Sequence, residues 1–345
     1  MKPPPRDRAH GALLGLAIGD ALGMPTQNLP RDAIAARYGI LDGFHPGPEQ
    51  NAISRGMAAG RVTDDTDQAI ILGRLLVAGG GRVDARRLAD ELVAWERRME
   101  AAGSADLLGP STRKALALIA EGAAIDDAGR SGATNGAAMR IAPVGVAFAC
   151  DPLHRLVDAV IEASVLTHNT TTGIAGAAAV AAAVSAGVEG RSLDTALALA
   201  VEAARLGAGH GCYHAGADVA ARIAWAVELV RGRTPEDGLD LIYRLVGTGV
   251  ATQEAVPAAA AICMLAPDDP WLACRLAASA GGDCDTVAAM AGAIMGALHG
   301  ARAFPADATA ALEAANPDLD LATLADSLLA LRPGASVGPA CGAWL

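Results

Sequence analysis

One uncharged stretch, from Asn169 to Val188, spans about 20 residues and is therefore long enough to cross a membrane. It consists largely of Ala, Gly, Thr and Ser, with few of the Leu, Ile and Phe residues that drive insertion into lipid. A helix that is small and apolar on every side is more simply explained as the buried central helix of a bundle. We therefore expect no membrane span and a fold built around this helix.

Helical periodicity recurs along the rest of the chain, and Gly and Pro residues separate the helical segments. Aromatic residues make up only 3% of the chain, and no convincing alternating strand is present. We predict an all-α fold, with one compact domain over residues 1–345, about a dozen helices, and flexible or peripheral tails at residues 1–9 and 334–345. The predicted helices are Gly11–Leu22, Thr66–Ala78, Asp84–Ala101, Thr112–Ala120, Leu153–Leu166, Gly173–Ala186, Leu193–Leu206, Ala217–Val230, Ala251–Leu265, Trp271–Ala278, Thr286–His299 and Leu321–Leu331, with a possible further one over Ala137–Ala149.

The charge balance excludes some partners. With 38 acidic and 27 basic side chains the net charge is -11, so bulk electrostatics oppose binding to nucleic acid or to an anionic membrane.

The six cysteines form no CxxC pair, which favours reduced thiols. Asp20 interrupts the first apolar stretch, so it does not resemble a secretory signal. We expect a cytoplasmic protein.

Two adjacent carboxylates in the segment Thr63-Asp64-Asp65-Thr66-Asp67 precede an apolar helix. Helix capping explains one of them, because Thr and Asp side chains accept from free N–H groups at helix starts. Three carboxylates within five residues are more than a helix N-cap needs. Unit charges about 4 Å apart repel by roughly 1–4 kcal/mol, so such a cluster usually needs a cation.

The segment Gly281-Gly282-Asp283-Cys284-Asp285-Thr286 also precedes an apolar helix. Two Asp- and Thr-rich helix starts can converge in the fold, although they lie far apart in the sequence. All their donors are oxygens, which suits Mg²⁺, Mn²⁺ or Ca²⁺ rather than Zn²⁺. The number of donors suits a two-metal site with waters left on both ions. The candidate ligands are Thr63, Asp64, Asp65, Asp283, Asp285 and Thr286.

Five segments in order resemble the ADP-ribosylglycohydrolase family and cover nearly the whole chain. They are Gly11–Gly23, Thr63–Thr66, Asn135–Pro143, Thr167-His168-Asn169 with Gly173 beyond, and Gly281–Thr286. The resemblance implies an orthogonal bundle of α-helices. It also implies hydrolysis of the glycosidic bond at the anomeric carbon of an ADP-ribosylated substrate.

The resemblance implies that the six candidate ligands hold two Mg²⁺ or Mn²⁺ ions, which engage the ribose hydroxyls and a water. Asp64 or Asp65 would orient or deprotonate that water as the catalytic residue. Asn135 and Gly136 resemble the family's substrate-contacting loop, although they also fit a simple turn. His168 resembles a histidine that lines the ADP-ribose cleft, although it also fits a structural role. For Arg140 we expect a buried structural salt bridge.

The sequence departs from the family pattern at three places. Gln27 stands where many members have a catalytic or gating Glu, and Gln cannot exchange a proton. Residues 131–134 contain no acid before Asn135, and Cys284 replaces a common Thr or Ser. We therefore expect the partner to be an ADP-ribosylated protein or a small ribosylated substrate. The alternatives are an N-glycosidase acting on a small metabolite or nucleoside, and a non-catalytic relative of the crystallin type.

Overall fold

The computed structural model describes residues 3–332, which contain eighteen α-helices. They are α1 Pro5–Gly23, α2 Arg31–Tyr38, α3 Asp64–Ala78, α4 Ala85–Ala101, α5 Pro110–Ala120, α6 Ile125–Ala128, α7 Gly136–Met139, α8 Ala142–Ala147, α9 Leu153–His168, α10 Thr171–Val188, α11 Leu193–Gly207, α12 Val219–Val230, α13 Pro235–Leu241, α14 Thr252–Leu265, α15 Pro270–Ala278, α16 Cys284–His299, α17 Ala306–Ala315 and α18 Leu321–Leu329.

The predicted all-α class is confirmed, because the described part of the chain contains helices and isolated bridges but no strand. Each of the twelve predicted helices is present. The additional helices are short, and the segment Ala137–Ala149 is divided between α7 and α8 at Arg140. Helix α1 begins at Pro5, so residues 5–9 are helical. Residues 334–345 lie outside the described part.

Helix α10 is the central helix of the bundle. It is the one described helix long and apolar enough to cross a membrane, but 94% of it is buried inside the protein. Every residue of α10 except Thr171 is buried, against α8, α9, α11 and α16 among others. This burial agrees with the expectation of a central core helix, and Ala and Gly side chains allow its neighbours to approach closely.

Helices α1 and α16 are in backbone contact along a row of glycines spaced four residues apart on one face of α1. A Cβ atom on Gly15 would lie 2.1 Å from the carbonyl oxygen of Gly292, and one on Gly19 would lie 2.0 Å from that of Ala288. Gly23, at the end of α1, meets the backbone of Asp285 in the same way. The helices are therefore antiparallel, and the start of α16 lies beside the end of α1.

The cysteines within residues 3–332 are all free, as the reduced-thiol expectation requires. They are Cys150, Cys212, Cys263, Cys274 and Cys284. Burial raises the pKa of Cys263 to about 12, so this thiol is not a reactive nucleophile. Cys341 lies outside the described residues.

Candidate metal centre and active site

The start of α3 is capped by Asp20 and Thr63 rather than by its own carboxylates. The Thr63 hydroxyl oxygen accepts from the Asp65 N–H at 3.3 Å. Asp20, on α1, accepts from the Thr63 N–H at 3.0 Å and from the hydroxyls of Thr63 and Thr66 at 2.8 and 2.5 Å. The sequence alone did not identify Asp20 as a cap of α3. The only indication in the sequence was an acidic residue inside an apolar helix. The carboxylates of Asp64 and Asp65 are therefore not needed as caps.

The start of α16 follows a turn that requires glycine. Gly281 and Gly282 have φ angles of +85° and +70°, which glycine adopts readily. A Cβ atom on Gly282 would also lie 2.5 Å from the Thr248 carbonyl oxygen. The Asp283 N–H donates to that same carbonyl at 2.7 Å. The Asp283 side chain makes no capping hydrogen bond to α16, so capping does not explain this cluster either.

The structure brings the two clusters into contact at Asp65. Its Oδ2 accepts from the Thr286 hydroxyl at 3.3 Å and lies 3.2 Å from the Thr63 hydroxyl oxygen, whose proton is donated to Asp20. A residue at the start of α16 is thus hydrogen-bonded to one at the start of α3, 221 positions away in the chain. The packing of α1 against α16 and the anchoring of α3 by Asp20 together produce this convergence.

Asp64 and Asp283 each have one oxygen fixed by a side-chain amide. The Gln68 Nε2 donates to Asp64 Oδ2 at 2.6 Å, and the Asn135 Nδ2 donates to Asp283 Oδ2 at 2.5 Å. With one oxygen held, each carboxylate has a defined orientation and a second oxygen left to bind a ligand. Carboxylates that bind metals are commonly oriented in this way, by a neighbouring side chain that donates to one of their oxygens.

Two buried carboxylate oxygens at the centre have no hydrogen-bond donor, Asp65 Oδ1 and Asp285 Oδ1. Burial raises the pKa of both groups well above the usual range, and the neighbouring carboxylates raise it further. Unsatisfied buried acceptors are rare in proteins, and a cation would satisfy both of these. The donor set of carboxylate and hydroxyl oxygens therefore fits hard divalent cations.

No group of three or more His, Cys, Asp or Glu side chains within residues 3–332 is already close enough together to hold a metal ion. That residue class does not cover the whole donor set. Thr63 and Thr286, two of the six candidate ligands, are hydroxyls and not members of that residue class.

A cleft of about 270 Å³ opens over the carboxylates. Of the residues singled out from the sequence, its walls include Gln27, Asp64, Asp65, Asn135, Gly136, Asp283, Asp285 and Thr286. The Gln27 Nε2 is buried and has no hydrogen-bond partner, so it can donate to an oxygen bound in the cleft. Thr63 is not among the residues that line the cleft, but its hydroxyl oxygen lies 3.2 Å from Asp65 Oδ2, which belongs to a lining residue.

His168 does not line the cleft, contrary to its predicted direct contact with substrate. It is fully buried, with its ring nitrogens hydrogen-bonded to the hydroxyls of Thr167 at 2.8 Å and Thr134 at 3.0 Å. A Cβ atom on Gly136 would lie 2.9 Å from the His168 ring, so the histidine supports the Asn135–Gly136 loop from below. Burial, and then the Arg140 charge, hold the pKa of His168 well below its usual range.

The predicted salt bridge of Arg140 is wrong. Among residues 3–332 no carboxylate lies within ion-pair distance of this fully buried guanidinium. It donates instead to Gln68 Oε1 at 3.1 Å and to the Thr167 hydroxyl at 2.6 Å. Because Gln68 also holds Asp64, a continuous hydrogen-bonded chain links the carboxylate centre to His168 and the loop above it.

Asp106 is a further site residue that sequence reasoning missed. It lies in the loop between α4 and α5, is 5% exposed, and lines the cleft. Burial raises its pKa to about 7, the charges of Asp20 and Asp67 add to this, and a hydrogen bond from the Asp64 N–H opposes it. A single Asp in a loop has no spacing signal, so only the fold could place it here.

The fold and site define a helical protein with a buried carboxylate centre at the floor of a cleft. The family model for ADP-ribosylglycohydrolase matches residues 1–337, so the chain belongs to this family. The chain is accordingly a hydrolase of glycosidic bonds, as predicted.

Similar proteins support the assignment over most of the chain. An uncharacterized protein of Escherichia coli, YegU, is 36% identical over 94% of this chain and 97% of its own length. The ADP-ribosylarginine hydrolase Tri1 of Pseudomonas putida is 32% identical over 87% of this chain and 72% of its own. A solved structure described as an ADP-ribosylglycohydrolase-related protein complex aligns with a TM-score of 0.66 at 27% identity, covering 95% of this chain and 98% of that one.

Proposed function

We propose that the protein hydrolyses the glycosidic bond between ADP-ribose and a leaving group, using two Mg²⁺ or Mn²⁺ ions held by the six candidate ligands. The observation that carries this proposal is the pair of donor-less buried oxygens on Asp65 and Asp285. When bound, such ions supply Lewis acidity toward ribose hydroxyls and water. A purely structural protein would gain nothing from these repelling, unsatisfied carboxylates, which argues against a crystallin-like role.

The chain's own groups provide orientation and proton transfer. Asp64 and Asp65 line the cleft, each oriented by a hydrogen bond to one of its oxygens, and are the groups that would orient or deprotonate the attacking water. Asn135 holds Asp283, while Gln27 offers its Nε2–H to a substrate oxygen. The Asn135–Gly136 loop, supported by His168, forms the wall on which the nucleotide portion would lie.

Asp106 is the group best suited to move a proton at the leaving group. Gln27 cannot exchange a proton, whereas Asp106 is a carboxyl that lines the cleft beside Asp64, and its burial favours the protonated form. Asp106→Asn should lower kcat by about 10²–10⁴-fold. The stabilisation by metal should be retained in that variant, which distinguishes a proton-transfer role from a ligand role.

Two substrate classes, which differ in the group released from the ribose, remain to be distinguished. The relative named ADP-ribosylarginine hydrolase favours an ADP-ribosylated protein or arginine as the substrate, and Gln27 in place of the family Glu favours a small ribosylated metabolite or nucleoside. Purified protein should be assayed on ADP-ribosyl-arginine, ADP-ribosyl-serine and a nucleoside panel, with Mg²⁺, Mn²⁺ or EDTA. No turnover of any substrate with either metal would refute the proposal. The free cysteines suit its action in a reducing compartment such as the cytoplasm.

A further inference from the structure

A groove continues from the cleft, beyond Asp106. A cavity of about 430 Å³ shares Ile53 and Asp106 with the cleft. A second cavity of about 230 Å³ shares Arg61 and Asp67 with the first and extends along α3 and α4. Four arginines line these two cavities, which we call the arginine groove: Arg55, Arg61, Arg74 and Arg98.

The four guanidinium groups are available to a ligand. None forms an ion pair within residues 3–332, and their one side-chain hydrogen bond runs from Arg61 to the Ala315 carbonyl oxygen at 3.3 Å. Arg55, Arg74 and Arg98 are exposed, and Arg61 is half-buried.

The charge of the groove is opposite to that of the whole chain. Besides Asp106 at its mouth, the acids lining the groove are Asp67, whose Oδ2 accepts from the Trp95 indole at 2.7 Å, and Asp318. Four cations therefore outnumber the acids, in a chain with a net charge of -11. A local positive groove counteracts the repulsion that such a chain would exert on an acidic partner.

The position of the groove identifies which part of a substrate would reach it. The Asn135–Gly136 loop lines the cleft but not the groove. A substrate with its nucleotide along this loop and its ribose at the carboxylates directs its leaving group past Asp106. This step depends on the proposed function.

We propose that the arginine groove binds an acidic segment of the ADP-ribosylated protein, on the leaving-group side of the scissile bond. Asp64 and Arg74 are ten positions apart on one helix, about 15 Å at a rise of 1.5 Å per residue. An extended peptide covers this distance in about four or five residues. The preferred substrate therefore carries carboxylates within about five residues of the modified side chain.

The test compares two ADP-ribosylated arginine peptides that differ only in having Glu or Gln at the fourth and fifth positions from the modified arginine. The parent should cleave the Glu peptide with the higher kcat/KM, and added salt should reduce the difference. The double variant Arg74→Ala/Arg98→Ala should lose roughly fivefold or more in kcat/KM on the Glu peptide. Its turnover of free ADP-ribosyl-arginine should not change. Arg97→Ala is the matched control, because Arg97 is exposed on the same helix as Arg98 and lies outside the groove.

A binding measurement separates failure of the groove from failure of the proposed enzyme. Fluorescence anisotropy with the unmodified, labelled Glu peptide should show weaker binding to the double variant than to the parent or to Arg97→Ala. Equal binding to all three proteins would overturn the groove proposal, whether or not any substrate is cleaved. Millimolar inorganic phosphate is compared with a chloride salt at the same ionic strength. If phosphate displaces the peptide and the chloride salt does not, the groove is a small-anion site and the proposal is overturned.

Discussion

Asp285→Asn should have opposite effects on stability with and without metal. Asp285 is 3% exposed, and its Oδ1 has no donor. Burial raises its pKa well above the usual range, and the charges of Asp283, Asp20 and Asp106 raise it further. Ionised Asp285 therefore destabilises the metal-free fold at neutral pH, and the neutral, nearly isosteric Asn removes that cost.

The expected magnitude follows from Coulomb's law and mass action. Two unit charges ~5 Å apart at an effective dielectric of ~20 repel by about 3 kcal/mol. Partial protonation already relieves some of this repulsion, so Asp285→Asn should change the free energy of unfolding without metal by between about 0 and +3 kcal/mol. Metal at about 100 times its dissociation constant stabilises the parent by about 2.7 kcal/mol. A variant that binds about 100-fold more weakly gains only about 0.4 kcal/mol under the same conditions.

Melting curves in EDTA and in Mg²⁺ or Mn²⁺ measure both effects. One kcal/mol corresponds to about 2 °C in a chain of this size. The metal should therefore raise the parent Tm by about 5 °C and the variant Tm by about 1 °C or less. Asp84→Ala is the control, because Asp84 caps α4 by accepting from the Arg86 N–H at 2.9 Å. It should cost about 1 kcal/mol equally in both buffers.

Two outcomes would refute the reasoning. If Asp285→Asn destabilised the protein equally in EDTA and in metal, it would behave like the cap control, and Asp285 would be structural. If neither Mg²⁺ nor Mn²⁺ raised the parent Tm, the oxygens of this centre would not form a metal site.

Three further predictions test the site and its scaffold. Because burial raises the folded-state pKa of Asp20 to about 6 and of Asp106 to about 7, their stabilising contribution is complete below about pH 4 and is lost as the pH rises through these values. The Tm in EDTA should therefore fall between about pH 4 and 7 while the metal-induced shift grows, and a Tm that rises over this range would contradict the assignment. Gln27→Glu adds a carboxylate to the cleft and should enlarge the metal-induced shift and change kcat or substrate range. Unaltered melting and kinetics would place Gln27 outside the chemistry. Gly19→Ala should destabilise the protein by about 3 kcal/mol or more, since its Cβ would lie 2.0 Å from the Ala288 carbonyl oxygen. Gly43→Ala, which has open space around its Cβ, should be tolerated in the same denaturation assay.

The fold class and the carboxylate positions follow from local patterns in the sequence. Helical periodicity is a property of neighbouring residues, so the long helices could be predicted, whereas the short α6 and α7 have only four residues each. The clusters of acidic residues before two apolar helices could likewise be recognised without knowledge of the tertiary structure. The glycines of α1 meet the backbone of α16, and nothing in the sequence around them identifies α16 as the partner.

The remaining features depend on contacts between distant segments. Arg140 was expected to find a carboxylate, yet its partners are Gln68 and Thr167, two neutral residues from different helices. No spacing rule joins these positions. Asp106 reaches the cleft because the loop after α4 folds over the start of α3, which the sequence near Asp106 does not indicate.

The choice between helix capping and metal binding was open in the sequence because both use Asp and Thr at a helix start. In the structure, the capping role belongs to residues other than Asp64 and Asp65. Asp20 and Asp106, which lie outside α3, and Thr63 accept from the N–H groups at the start of α3, so the acids of the motif itself have no capping function. Buried acids without that function raise the free energy of the fold unless a cation compensates them. The caps therefore support the metal hypothesis, because they remove the alternative reason for Asp64 and Asp65 to be there.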